Sequence, residues 1–428
     1  MVVNFVALAI AITLISFTWL ESRIFGNALI SAKSGILFSL IYFVFSDIIL
    51  GRAGLELYSN KILFRALILV ISFIVIFLIS YTIPWKDWFA RIFLKVSGNE
   101  VNTKKLNFTI ISCFLFGLYV PLILWSGGIK NIISNLLAAG RIPIIQRGKL
   151  GGWKDYFISL TELIKIAAVQ LSWAQIFLFK KIRLFTVLSL LLVLIFTLNS
   201  GSRLLLVSLF FPGLMLYYFY NFYIKKNNKS NLFLVISVVV LLMIMQLMLV
   251  LRDADEDQSA FDVIIENIKG ILTSSPTEYH RDDQFNILSR YVEWVPSRIE
   301  HSGEWLIFRP FYHWIPRAIW ENKPQGITQY FEEITNTEGE GETTWSGSII
   351  GDFYLAQGWI GVLMIGFLIG FLANQVDHLI KHLKNPLIML LYAYSIAFLV
   401  MTIRGWIVFY EGWFVFILFW ILFKHQSK

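Results

Sequence analysis

Apolar runs of about 20 residues, separated by short polar stretches, recur along most of this chain. Twenty residues of helix rise about 30 Å, enough to cross a hydrocarbon core, where a helix satisfies its own backbone. The pattern predicts eleven spans, at residues 2–20, 35–51, 62–84, 106–125, 156–179, 183–199, 203–224, 231–251, 350–372, 386–403 and 405–423. No basic residue precedes the first run and no small-residue cleavage site follows it, so it reads as a retained span and not a signal peptide. The expected fold is an all-α polytopic membrane protein. It forms one membrane domain over 1–428, with a large, partly helical loop at 252–347 between the eighth and ninth helices.

Charge sharpens that outline. Only 15% of residues are charged while 57% are hydrophobic, against about 25% charged in an ordinary globular domain. The 252–347 interval holds 18 of the 28 acidic residues but only 8 of the 36 lysines and arginines. Of the rest, 17 fall in the odd-numbered loops and the C-terminus, from Arg23 and Lys33 to Lys424 and Lys428. A cytoplasmic excess of Lys and Arg then puts the N-terminus and the long loop outside and the C-terminus inside. The basic balance, pI about 9.3, is spread over these loops and makes no groove for nucleic acid. Cys113 is the single cysteine, so the chain has no internal disulfide and no thiolate cluster; it reads as a small buried hydrophobe.

Some spans carry polar residues. Glu162 and Lys165, three apart, can pair on one helix face. Asp47 and Gln246 read as interhelical hydrogen-bonding groups, and Gly361, Gly366 and Gly370 as sites of close helix packing.

The candidate chemistry lies on the outer side. Arg281-Asp-Asp-Gln-Phe-Asn286 opens an amphipathic helical piece that Arg290, Glu293 and Arg298 continue. Trp305, Phe308, Phe311, Tyr312, Trp314 and Trp320 follow, as an interfacial belt or as platforms for sugars and headgroups, mixed with arginine forks suited to phosphate. Asp352, at the mouth of the ninth span, is a candidate base or orienting group, or else a charge at a helix N-terminus. Arg141 lies in the glycine-rich fourth loop, Arg203 closes Asn199-Ser-Gly-Ser-Arg203, and Arg404 sits in Thr402-Ile-Arg-Gly405 with Glu411 beyond it. Brought together on the long loop's face, these cations would make an anion site. The sequence has no Gly-x-x-x-x-Gly-Lys-Ser/Thr phosphate loop, no His-Glu-x-x-His, no Gly-x-Ser-x-Gly and no Cys/His zinc spacing. Nucleotide-driven transport therefore has no support, and no metal or cofactor is expected. His280, His301 and His313 fall outside, and His378, His382 and His425 inside.

Three segments in order carry a resemblance, covering the chain from about Ser200 onward: Gly201-Ser-Arg203 opening a span, Ile315-Pro-Arg-Ala-Ile-Trp-Glu-Asn-Lys-Pro324 in the long loop, and Ile350-Gly-Asp-Phe-Tyr-Leu-Ala-Gln-Gly358 at the next span. Together with Arg404 and Glu411, this order resembles the Wzy-type O-antigen, capsule and common-antigen repeat-unit polymerases, which are related to the O-antigen ligases. The Arg-x10-Gly spacing of some members occurs at Arg141–Gly152, without a second copy in the long loop.

The resemblance implies a glycosyltransferase of lipopolysaccharide or other polysaccharide biosynthesis that uses no nucleotide sugar, metal or cofactor. It would act at the periplasmic face of a bacterial inner membrane on undecaprenyl-diphosphate-linked glycans, with membrane lipid and a chain-length regulator as partners. Arg203, Arg317, Arg404, Arg141 and Lys323 would hold the diphosphate. Asp352, His313 or Glu411 would contact the acceptor, and Arg281, Trp314, Trp320 and Tyr354 the glycan. The alternatives are a ligase acting on a lipid A core and a lipid-linked glycan flippase or transporter. A transporter should spread charge through many spans and show a repeat; here charge gathers on one face.

Overall fold

A computed structural model of the protein describes residues 2–25, 29–49, 55–96, 102–125, 153–199, 203–227, 229–252, 284–312, 315, 319–324, 347–406 and 408–426. Among the described residues all regular structure is helical, with no strand. The helices are α1 (Val2–Phe25), α2 (Ala32–Leu40, continued by a π turn at Ile41–Phe45), α3 (Asn60–Thr82), α4 (Trp88–Val96) and α5 (Thr103–Phe114, continued by a π turn at Leu115–Tyr119). Then come α6 (Trp153–Phe177), α7 (Leu184–Asn199), α8 (Arg203–Phe219), α9 (Ser230–Arg252), α10 (Gln284–Trp294) and α11 (Glu304–Tyr312). The last are α12 (Ser348–Asp377), α13 (Pro386–Thr402) and α14 (Val408–Gln426).

A helix lies at each of the eleven apolar runs. Among the described residues five helical stretches are long and apolar enough to cross a membrane: Val3–Ser22, Asn60–Thr82, Thr103–Leu124, Leu205–Ile224 and Ser348–His382. Their outward faces are greasy. On α1, Phe5, Leu8, Ile12, Ile15 and Trp19 are all exposed, an arrangement that water would penalise and lipid accommodates.

The chain gathers into two compact units. The first comprises Met1–Trp88, Ser274–His378 and Phe398–Tyr410; the second Phe89–Thr273, Leu379–Ala397 and Glu411–Lys428.

In the first unit α3 and α12 run side by side and parallel. A Cβ added at Gly366 would lie 3.0 Å from the Phe73 carbonyl oxygen, and one at Gly370 would run into the Phe77 carbonyl and come within 2.8 Å of Ser80 Cβ. Two glycines four apart thus let the backbones touch, and Ser80 Oγ donates to the Phe367 carbonyl at 2.7 Å. Gly361 has a different role: its added Cβ would strike the Phe353 carbonyl of its own helix.

At one end of this unit a charged knot ties four helices. The Asp377 carboxylate accepts from Ala32 N (2.8 Å), Lys33 N (3.3 Å) and Tyr81 Oη (3.0 Å). Lys33 is buried, paired with Glu21 and lying over the rings of Phe17 and Tyr81. Counted from the sequence as a loop cation, it is in fact enclosed and neutralised. Asn374 and Gln375 donate to the carbonyls of Tyr81 (2.8 Å) and Lys86 (3.0 Å) beside it.

In the second unit α6 is the axis. Pro212, inside α8, has no N–H for the Ser208 carbonyl. Gln170 Nε2 supplies that donor at 2.9 Å, and Trp173 Nε1 donates to the next carbonyl, Leu209, at 3.0 Å. Gly213 leaves room for the indole, whose ring atoms an added Cβ would meet at 2.7 Å. Gln170→Leu should therefore orphan a buried carbonyl and destabilise the protein by about 1–2 kcal/mol. A thermal midpoint in detergent equal to that of the unaltered protein would contradict this. Glu162 and Lys165 pair as the spacing predicts, next to the π turn, where a Cβ added at Gly117 would lie 2.6 Å from Lys165 N. Cys113 is half-buried.

Candidate functional site

The amphipathic piece of the polar interval is helix α10, Gln284–Trp294. It stops short of Arg298 because Pro296 has no N–H to continue it and disfavours helical backbone at Val295. Its buried stripe of Phe285, Leu288, Tyr291 and Val292 faces α3 and the first turns of α12. There Gly347 and Gly351 admit the Tyr291 ring, whose Cε2 an added Cβ would meet at 2.7 Å and 3.2 Å. Burial pushes the Tyr291 phenol well above its ordinary range.

The Ile350–Gly358 segment then docks residue by residue. Asp352, 2% exposed, accepts at Oδ2 from Trp406 N at 2.8 Å, while its Oδ1 has no hydrogen-bond partner among the described residues. Phe353 meets the Trp406 ring edge-on, and Trp406 Nε1 donates to the Ile307 carbonyl of α11 at 2.7 Å. Ile349 N also donates to the Ile403 carbonyl at 2.9 Å. Asp352 and its neighbours thus fix the turn that carries Arg404. Arg309, on α11, lies near enough for its charge to act on Asp352, and burial holds its guanidinium below its ordinary pKa. Tyr354 Oη donates to the Val295 carbonyl at 3.1 Å.

Helix α12 breaks just after this. Gln357 has φ −142° and ψ 15°, and Gly358 has φ 61° and ψ −142°. The break deprives Leu355 and Ala356 of their helical donors. Ser302 N (2.9 Å) and Gly303 N (3.1 Å), from the polar interval, replace them. This backbone clasp leaves His301 over Gly358, where an added Cβ would lie 3.1 Å from Cε1 and 3.2 Å from Nε2.

Beside the break lies a cavity of about 580 Å³. Its polar lining is Arg65, Glu293, Ser297, His301, Tyr354 and Gln357, with Leu69, Val292, Trp359 and Ile360 among the apolar walls. Glu293 accepts from Trp294 Nε1 at 3.2 Å. Arg290 and Arg298 both lie over the Trp294 ring, at 5.8 and 5.6 Å from its centroid.

Of the described residues that the sequence assigned to the acceptor, the diphosphate or the glycan, Tyr354 alone lines this cavity. Asp352 is sealed beneath the Arg404 turn, and Arg404 itself is half-buried. Lys323 Nζ donates to the Ile315 carbonyl at 3.0 Å, closing its own loop, and Trp320 meets Tyr312 edge-on at 5.2 Å between centroids. Arg141, Arg281, His313, Trp314 and Arg317 lie outside the described residues, as do the side chains of Asp47, Arg203, Gln246 and Glu411. Glu293 and His301 were given no role from the sequence, Gln357 was only part of the Ile350–Gly358 segment, and Arg65 was not singled out. Gly358, a glycine ending an otherwise regular run, was the available signal for the break.

The fold and the site define a helical membrane protein in which a polar interval is clasped onto a broken span. The chain belongs to the family described as a domain of unknown function (DUF8712), which matches residues 144–384, a stretch that includes the clasp and the break. No curated protein and no solved structure matches it.

Proposed function

We propose that this protein is a repeat-unit polymerase of lipid-linked glycans, with eleven spans, the N-terminus and the polar interval in the periplasm, and the C-terminus in the cytoplasm of a bacterium with an inner membrane. The observation that carries the reading is the polar cavity beside the break in α12, large enough for sugar units and lined by a carboxylate, an imidazole and a guanidinium. The sorting of polar segments supports the topology. In the first unit, residues 31–33, 81–86 and 374–377 meet at one end, while Tyr58, Arg290, the 295–303 stretch and the 403–406 turn meet α12's start or α10 at the other. Alternating spans require that sorting.

In the reaction an acceptor hydroxyl forms a bond to the anomeric carbon of the donor glycan. The bond to undecaprenyl diphosphate breaks, and the acceptor proton leaves to a base. Glu293 and His301, in the lining, are placed to take that proton or to orient the hydroxyl. Negative charge developing on the diphosphate calls for fixed guanidinium groups. Arg404, with Arg203, Arg317, Arg141 and Lys323, is assigned to it. Asp352 acts as a positioning residue for the Arg404 turn. Trp320, Trp314, Arg281 and Tyr354 are assigned to the glycan.

The test is a chromosomal deletion complemented by variants, read as the glycan ladder on a gel. Arg404→Ala should leave single repeats and no long chains; normal chain lengths in a folded variant would remove Arg404 from the site. Deletion that leaves one repeat on the lipid A core supports a polymerase, whereas complete loss of attached glycan identifies a ligase instead.

A further inference from the structure

Helices α3 and α12 touch through Gly366 and Gly370 and part toward their first turns. There the cavity separates Arg65 and Leu69 of α3 from Gly358, Trp359 and Ile360 of α12. Its surroundings are apolar and turned outward: Phe64, Ile68, Trp359 and Ile360 are 39%, 45%, 43% and 66% exposed. Both helices are long and apolar enough to cross a membrane, so in a bilayer these side chains meet lipid.

Arg65 sits among them. It is five residues beyond Asn60, the start of α3, so it lies about one and a half turns, roughly 7 Å, into the span. Among the described residues it makes no hydrogen bond and no ion pair, Glu293 of the same lining included. An arginine inside a span ordinarily finds a partner or marks a functional path, and a guanidinium matches phosphate with two parallel hydrogen bonds. Arg290 and Arg298, stacked on Trp294 of the neighbouring α10, add positive potential nearby. Ser297, Gln357 and His301 offer further hydrogen-bonding groups to phosphate oxygens.

The geometry points to a binding site for the phosphate headgroup of a membrane lipid, admitted sideways from the bilayer between the outer ends of α3 and α12, with Arg65 as its phosphate partner. The site shares its cavity with the polymerase reading, and its occupant carries the same chemistry whether it is a bilayer phospholipid or a lipid diphosphate.

The full-length protein, reconstituted in phosphatidylcholine nanodiscs doped with phosphatidic acid or with undecaprenyl diphosphate, tests this by native mass spectrometry. The unaltered protein should retain both anionic lipids in preference to phosphatidylcholine. Arg65→Gln should retain at least tenfold less, with Arg65→Lys in between, and Leu69→Trp should reduce retention by filling the cavity. Among the described residues Arg65 makes no hydrogen bond or ion pair, so Arg65→Gln should keep the thermal midpoint. Retention of undecaprenyl diphosphate alone would identify the lipid diphosphate as the occupant. Equal retention in Arg65→Gln would overturn the site, and full displacement of lipid by an equal concentration of inorganic diphosphate would overturn the sideways route. No readout here involves glycan transfer. Loss of lipid binding with a normal glycan ladder, or the reverse, therefore separates failure of this inference from failure of the polymerase reading.

Discussion

Gly358→Ala should abolish long-chain product and lower the thermal midpoint. Two independent penalties act at that position. Its backbone, at φ 61° and ψ −142°, lies where essentially only glycine is found, and forcing another residue there costs on the order of 1–3 kcal/mol. The added carbon would also press on the His301 ring at 3.1 Å. The helix can relieve the strain by straightening, but Leu355 and Ala356 would then release Ser302 and Gly303, and His301 would leave the cavity. The glycan ladder and the midpoint in detergent should fall together. A folded Gly358→Ala protein with a full ladder would show that the break plays no part in the activity.

Asp352→Ala should be comparably severe. It removes the acceptor of Trp406 N and the carboxylate near half-buried Arg309, a combined loss of about 3 kcal/mol or more. The informative comparison is Asp352→Asn. An amide oxygen can still accept from Trp406 N, so if Asp352 only positions the Arg404 turn, the asparagine variant should keep much of the alanine variant's lost stability and product. If the carboxylate itself exchanges a proton with substrate, asparagine should be as inactive as alanine while remaining stable. The ladder and the midpoint, measured on both variants, decide between these roles.

The helices were legible because an apolar run of the right length has one economical backbone solution, and the Gly366/Gly370 spacing stated its purpose openly. Much of the site was not. Arg65 stands near the start of an apolar run, where an arginine resembles any interfacial anchor. His301 is one of six scattered histidines, and its importance comes from a glycine far along the chain whose backbone it covers. Asp352 looked like a free charge at a helix mouth; only the turn that follows α13, folded back over it, makes it an enclosed acceptor. Lys33 was misjudged for a similar reason, since its partners Glu21 and Tyr81 and the nearby Asp377 belong to three other helices. Periodicity identifies the face a helix buries and is silent about which distant residue will occupy it.

The parallel pairing of α3 with α12 also sets an order of events during synthesis. Ser80 and its acceptor Phe367 are 287 positions apart in the chain. At about 5–20 residues per second, α3 would wait roughly 15–60 s in the membrane before its partner is made. During that interval the whole run from α4 to α9 emerges, so the Phe89–Thr273 part of the second unit can gather from neighbouring segments while the first holds an open seat; its remaining segments, Leu379–Ala397 and Glu411–Lys428, follow α12. The strip of Phe73, Phe77 and Ser80 that later receives two glycines must meanwhile be covered by lipid or by an insertion factor. Completion of the first unit, and of the cavity with it, is thus a late step in the life of the nascent chain.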